Sequence, residues 1–291
     1  MAAPLLEPTL LRRLEALALQ VRRAVTGQMG GERRSVRRGQ SVEFADFRSY
    51  TPGDDYRLID WNAYARLDRF MLRLFVAEEE LPLSLFVDLS GSMDWGTPNK
   101  ADTARRLAGA IAYVALNALD RVRLTVFAEG PTSGGAPYRG HRSAGQLFAK
   151  LQGFPAGGTT DYARLVWPIG RQRPGMSIVI SDGLGEPGID DALSALQRAH
   201  QEGAVLQLLA PQELAPDWTG DARLKDAETG VEREFTSTPL TQATYLRALT
   251  QRAEQVERAA HRRGLRYARL STADPIDQMV QVTLRRIGLL A

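Results

Sequence analysis

The chain has no cysteine. That excludes a disulfide framework, a thiolate zinc site and a cysteine nucleophile, and it agrees with a reducing cytoplasm as the expected location. Histidine is also scarce. His141, His200 and His261 are isolated from one another, and the last two sit near the ends of expected helices, where capping suits them better than catalysis. Lysine occurs only at Lys100, Lys150 and Lys225, so the basic side is almost all arginine. No run of about 18 apolar residues occurs, so no membrane span is expected. The first 25 residues are interrupted by Arg12, Arg13, Arg22 and Arg23 and lack the apolar block of a signal peptide. There is no Gly-x-x-x-x-Gly-Lys phosphate loop, so nucleotide hydrolysis by this chain is not expected. The sequence LSGSM at 89–93 does not form a Gly-x-Ser-x-Gly nucleophile elbow either.

What remains is an ordinary globular composition, 44% apolar and 24% charged over 291 residues, enough for one large domain or somewhat more. A net charge of +3 is a weak footprint for nucleic acid. Arg33, Arg34, Arg37 and Arg38 do cluster. With no aromatic residues interleaved for stacking, they read as a solvated arginine-rich face before they read as a nucleic-acid site.

Along the chain, Leu10, Leu14, Leu17, Val21 and Val25 follow spacings of three and four, which predicts an amphipathic helix over 9–26. Residues 27–40 read as a connector, and 41–80 as short strands and turns around Pro52-Gly53. From residue 81 the pattern becomes regular. Strand-length apolar runs at 83–88, 122–128, 176–181, 204–210 and 265–270 alternate with helical segments near 100–120, 143–152, 161–168, 190–202, 240–263 and 275–288. This alternation predicts an α/β fold, a mostly parallel sheet with helices on both faces. An N-terminal helix and a small β-rich segment over 1–80 would precede the main domain, 81–291, which carries an inserted excursion near 211–238.

In an open parallel sheet, ligands bind beyond the carboxyl ends of the strands. Three expected loops there carry oxygen donors. LFVDLSGSMD places Asp88, Ser90 and Ser92 after the first strand; Gly157-Gly158-Thr159-Thr160-Asp161 forms a glycine-rich turn; and Ser181-Asp182-Gly183 follows MSIVI. Carboxylates and hydroxyls without His or Cys suit Mg²⁺ or Mn²⁺, because hard cations take oxygen ligands at about 2.0–2.1 Å. The alternation Asp88-x-Ser90-x-Ser92 lets three oxygens turn toward one point. Small polar residues after strands also serve as helix caps and turns, so no one loop decides the matter; all three in order carry it.

These residues resemble the von Willebrand factor A-like (Rossmann-type) fold and its metal-ion-dependent adhesion site, a pattern of Asp-x-Ser-x-Ser, then threonine after glycine, then aspartate before glycine. The resemblance implies Asp88, Ser90, Ser92, Thr159 and Asp182 as the metal site, the last acting through water, with a partner's carboxylate filling an open position. Thr159 fits better than Thr160 because Leu165 follows six residues later. A second stretch, EFADFRSYTPGDDYRLIDWNAYAR at 43–66, resembles the signature of the domain of unknown function 58 family: Arg48, Tyr50, Pro52-Gly53-Asp54-Asp55, Arg57 and Ile59-Asp60-Trp61 fall at its spacing. That resemblance implies a MoxR-type AAA+ ATPase as partner. From the residues themselves, the segment reads as a buried arginine–carboxylate lattice that stabilises the fold, with Trp61 and Asp60 facing the core.

The expected function is therefore a non-enzymatic, Mg²⁺-dependent protein–protein interaction module, acting with a MoxR-type ATPase in assembly or remodelling. Two alternatives belong to other classes. One is a metal-dependent phosphohydrolase, disfavoured because no lysine or general base is expected beside the carboxylates. The other is a nucleic-acid binder using the N-terminal arginines.

Overall fold

The structure is a computed structural model that describes residues 4–20, 44–75, 81–128, 131–133, 135–185 and 188–291. The chain divides into two compact units, one formed by residues 1–21 with 81–291 and the other by residues 22–80. The N-terminal segment thus packs into the large unit, apart from the β-rich segment with which its sequence was grouped. The basic connector, including Arg33, Arg34, Arg37 and Arg38, lies outside the described residues.

Helix α1 (Pro8–Leu14) opens the chain. The small unit holds β1 (Phe44–Ser49), α2 (Trp61–Leu67) and β2 (Met71–Phe75). The large unit continues with β3 (Pro82–Asp88), α3 (Lys100–Asn117), β4 (Arg121–Phe127), β5 (Pro131–Ser133) and β6 (Tyr138–Arg139). Next come α4 (Ala144–Gly153), α5 (Val166–Gly170), β7 (Met176–Ser181), α6 (Asp190–Arg198) and β8 (Glu202–Leu209). Last are α7 (Pro211–Leu214), β9 (Gly220–Lys225), β10 (Glu232–Ser237), α8 (Pro239–Arg262), β11 (Arg266–Ser271) and α9 (Ile276–Gln278).

The sheet of the large unit runs β11-β8-β7-β3-β4-β5, with β6 also pairing β4. The pairs β11–β8, β8–β7, β7–β3 and β3–β4 are parallel, while β5 and β6 run antiparallel to β4. This is the expected mostly parallel α/β sheet. Its central strands are mostly apolar because both faces are covered, with Ser84, Ser177 and Gln207 as buried polar exceptions. Along β3, Leu83, Leu85 and Val87 enter the core beneath α3, whereas Phe86 enters the opposite core with Leu193, Leu196 and Val256 of α6 and α8. The same alternation holds in β7, where Ile178 and Ile180 face one way and Val179 the other.

The chain leaves β3 into α3 on one face and leaves β7 into α6 on the other. The carboxyl ends of these two neighbouring strands therefore flank a point where the winding reverses, the usual site of a crevice in such sheets.

The first helix is shorter than its periodicity predicts. It ends at Leu14, and backbone pairing takes over: Gln20 N–H donates to Leu289 O at 2.9 Å and Ala291 N–H to Ala18 O at 2.9 Å. Pairing with the carboxyl-terminal end outcompetes helical propagation, although Leu14 and Leu17 stay buried as their pattern requires. Residues 21–26 of the expected helix lie outside the described residues.

In the small unit, β1 and β2 form an antiparallel pair. Asp54 accepts from the backbone N–H and the hydroxyl of Thr51 and pairs with Arg48 at 2.8 Å, so these donors hold its carboxyl well below the usual carboxylate range. Asp60 caps α2 by accepting from Asn62 N–H at 2.9 Å and Ala63 N–H at 3.1 Å. The expected buried lattice is corrected in part: Asp60 is buried, but Arg48 and Arg57 are exposed, and Arg48 with Asp54 locks a surface turn. Trp61 is 60% exposed, edge-on to the stacked Tyr64–Phe70 pair.

These placements separate core from surface. Leu85→Ala should cost about 2–5 kcal/mol because it empties a fully enclosed site. Asp60→Ala should cost about 1 kcal/mol as a lost helix cap. Trp61→Ala, which opens no cavity, should leave the thermal midpoint nearly unchanged; thermal unfolding followed by circular dichroism checks the order.

Candidate functional site

Asp88 ends β3 with its carboxylate fully buried. One oxygen, Oδ1, accepts from Ser90 N–H at 3.0 Å, and Oδ2 accepts from the Ser181 hydroxyl at 2.6 Å. Because Ser181 donates its single proton to Asp88, it receives one from Tyr162 OH at 2.7 Å and another from Gly183 N–H at 3.1 Å. Burial and the charges of Asp88 and Asp182 push the Tyr162 phenol well above its usual value, so it remains a donor. After Asp88 the chain turns sharply, and the hydroxyls of Ser90 and Ser92 approach to 3.1 Å.

The glycine-rich loop lies directly against this turn. Gly157 N–H donates to Leu89 O, and Gly91 N–H donates to Gly158 O, both at 2.8 Å. Positive φ angles at Gly157 and Gly158 make that double contact accessible to the backbone. Thr159 is exposed beyond it, while Thr160 is buried. Thr160 is held by Glu228, at the tip between β9 and β10: its N–H donates to Oε2 at 3.0 Å and its hydroxyl to Oε1 at 2.7 Å.

Asp182, the third element, is fully buried after β7. Its Oδ1 accepts from Leu184 N–H at 3.0 Å, and its Oδ2 pairs with the Lys100 ammonium at 2.9 Å. Lys100, 1% exposed at the start of α3, also pairs with Glu213 at 2.6 Å. Burial alone would lower the Lys100 pKa, but the two carboxylates outweigh it and hold the ammonium above its ordinary value. Glu213 uses its other oxygen to accept from Ala210 N–H at 2.7 Å. The Arg252 guanidinium of α8 fixes the same loop from outside, donating to the carbonyls of Gly183 at 3.1 Å and Gly185 at 2.6 Å.

The structure thus brings Asp88, Ser90, Ser92 and Asp182 to the carboxyl ends of β3 and β7. It pins the glycines ahead of Thr159 against them, and it leaves the Thr159 side chain exposed. Residues missed by sequence reasoning are Lys100, Tyr162, Glu213 and Glu228. Lys100 corrects the argument that no lysine stands beside the carboxylates. Its signal was present in the sequence: one of three lysines, it falls at the start of the helix that follows the Asp88 loop.

The donor chemistry passes a simple fit test for a hard cation. Octahedral bonds of about 2.0–2.1 Å place neighbouring ligand oxygens about 2.9 Å apart, and the Ser90–Ser92 separation of 3.1 Å is close to that edge. Among the described residues no group of three or more His, Cys, Asp or Glu is arranged for a metal. The available set is a carboxylate with hydroxyls, and Asp182 stands behind it with both oxygens already accepting protein hydrogen bonds.

The family profile described as "Protein of unknown function DUF58" matches residues 46–260, a span that includes Arg48 to Trp61 of the small-unit signature and all three loops. The chain belongs to the DUF58 family. Among its relatives is an uncharacterized protein of Mycobacterium tuberculosis, Rv1480, 32% identical over 295 residues and covering 98% of this chain and 92% of the relative. An uncharacterized protein of Mycobacterium avium is 33% identical over 141 residues, covering 47% of this chain and 83% of its own. Two solved structures are more distant. The conserved hypothetical protein BatB of Bacteroides thetaiotaomicron is 16% identical with a TM-score of 0.43, covering 71% of this chain and 98% of its own. The manganese-loaded TRAP protein of Plasmodium vivax is 22% identical with a TM-score of 0.36, covering 44% and 57%. Among the described residues of this DUF58 protein, no helix is long and apolar enough to cross a membrane.

Desolvation, reinforced by the neighbouring Asp182 charge, pushes Asp88 up from 3.8 to about 7. The folded protein therefore binds this proton more tightly than the unfolded chain does. Its contribution to stability is full below about pH 4 and is lost as pH rises to about 7. In metal-free buffer with EDTA, the difference in unfolding free energy between wild type and Asp88→Asn should move against the wild type across that window and level off above it. Chemical denaturation at stepped pH reads this difference directly, and a flat difference would mean that Asp88 does not carry the buried charge.

Proposed function

We propose that this DUF58 protein is a non-enzymatic interaction module whose partner contact depends on a divalent cation, Mg²⁺ or Mn²⁺, held by Asp88, Ser90, Ser92 and Thr159, with Asp182 acting at one remove. The observation that carries the reading is the buried Asp88 carboxylate beside two converging serine hydroxyls at the reversal point of the sheet. An ion bound there by few anionic ligands keeps residual positive charge and favours an incoming carboxylate. A MoxR-type AAA+ ATPase, or a client it presents, is the proposed owner of that carboxylate, in keeping with the resemblance of the 43–66 signature.

The phosphohydrolase alternative gains a lysine but not a usable one. The Lys100 ammonium is enclosed and shared between Asp182 and Glu213, so it has no face to offer a substrate phosphate.

Ser92 is the best probe of the proposal, since it is half-buried and its hydroxyl bonds only to Ser90 among the described residues. Removing Asp182 would instead take from the buried Lys100 one of its two carboxylates. Calorimetric titration with Mg²⁺ and Mn²⁺ should show one site in wild type, abolished in Asp88→Ala and weakened in Ser92→Ala. A native-lysate pull-down should retain the ATPase with Mg²⁺ and release it with EDTA. Equal ion binding by wild type and Asp88→Ala would reject the site, and retention of the ATPase in EDTA would reject the metal-dependent contact.

A further inference from the structure

The least expected feature of the site is the carboxylate that reaches it from outside the sheet. Glu228 lies at the tip between β9 and β10, 46 residues after Asp182 in the chain. Its side chain grips Thr160 with both oxygens, at 2.7 and 3.0 Å. The tip is built to present it. Asp226 accepts from the N–H groups of Glu228 at 3.0 Å and Thr229 at 2.7 Å, and Asp226 N–H donates to Val231 O at 2.8 Å, closing a tight turn.

A second, independent feature shows that the docking is designed into both partners. A Cβ placed on Gly91 would stand 2.5 Å from Ala227 O and 3.3 Å from Gly158 O. Gly91 lies between Ser90 and Ser92, so the absence of a side chain there lets the hairpin tip settle on the serine turn. The base of the hairpin is anchored separately. Trp218 O accepts from Ser237 at 2.8 Å and from Gln242 at 2.6 Å, and the Trp218 ring packs against Phe235 and Tyr245.

The charge at this point is unbalanced. Lys100 is committed to Asp182 and Glu213. Glu228 brings a further carboxylate to the loops around Asp88, and among the described residues it forms no ion pair; Thr160 alone holds it. A divalent ion at the serine turn beside this loop would attract that carboxylate.

We infer that Glu228 is this chain's own acidic ligand for the cation site, and that the β9–β10 hairpin must lift away before a partner's carboxylate can take its place. The inference rests on the proposed cation site and adds its regulation: an internal carboxylate competes with the external one, so only a partner that offsets the loss of the Thr160 and Gly91 contacts gains access. An intramolecular ligand acts at high effective concentration, so weak free carboxylates should be excluded while the hairpin is docked.

The test uses the full chain with Mn²⁺ as the ion and acetate as the carboxylate probe, comparing wild type with Glu228→Ala and Glu228→Gln. Water-proton relaxation reports the exchangeable waters on bound Mn²⁺. The expected result is Mn²⁺ binding by all three proteins, a gain in relaxation enhancement in both variants, and loss of that gain on adding acetate, with wild type nearly insensitive to acetate. Without metal, hydrogen exchange at the Thr160 amide should be faster in Glu228→Ala, since its acceptor is gone. Equal enhancement and equal acetate response in wild type and variants that all bind Mn²⁺ would overturn the hairpin's role while leaving the cation site standing. Absence of Mn²⁺ binding in wild type and variants alike would overturn both.

Discussion

The site is organised by the burial of Asp88. A carboxylate at the end of the central strand of a parallel sheet loses its water, and the desolvation penalty for such a charge is several kcal/mol unless protein groups replace the solvent. Three donors partly replace it here: the Ser90 amide, the Ser181 hydroxyl, and behind that the Tyr162 phenol. They do not neutralise the charge. The Lys100 ammonium belongs to Asp182 and Glu213. This leaves Asp88 buried, with no ion pair among the described residues, beside two serine hydroxyls, the arrangement that the proposed cation would complete.

The rest of the large unit can be understood as holding that carboxyl group in place. Parallel strands β3 and β7 fix the two aspartates at neighbouring ends, and helices on opposite faces bury both sides of the strands. Gln207 of β8, oriented by Tyr267, donates to Asp182 O at 2.7 Å and stiffens the turn after β7. Arg252 of α8 grips the Gly183 and Gly185 carbonyls from the other side. Against this rigid floor, the β9–β10 hairpin is held over the site by one residue pair and a backbone approach, which suits an element that must release.

Much of this was legible in the sequence, for identifiable reasons. The five strand-length runs are found within a residue or two of their expected positions, because parallel strands covered on both faces are predominantly apolar. Asp88 and Asp182 were visible because polar residues abruptly end such runs. What could not be read depends on tertiary contact. The first helix stops early because residues 18–20 pair with residues 289–291, at the other end of the chain. Lys100 looks like a surface residue at a helix start until its two distant carboxylates are known. Glu228 looks like an exposed acid in a polar turn, and nothing local announces that the hairpin folds back onto Thr160. Trp61 misled in the opposite direction: an indole in a family signature suggested a core, while a seven-residue helix beside two strands has too little surface to bury it.

The claim that joins these observations is that the carboxyl edge between β3 and β7 holds a divalent cation. Crystals grown with MnCl₂, measured at the manganese absorption edge, test it most directly. The account predicts an anomalous peak bounded by the oxygens of Asp88, Ser90 and Ser92. A crystal saturated with Mn²⁺ that shows no peak there, or shows its manganese only at surface acids elsewhere, would contradict it.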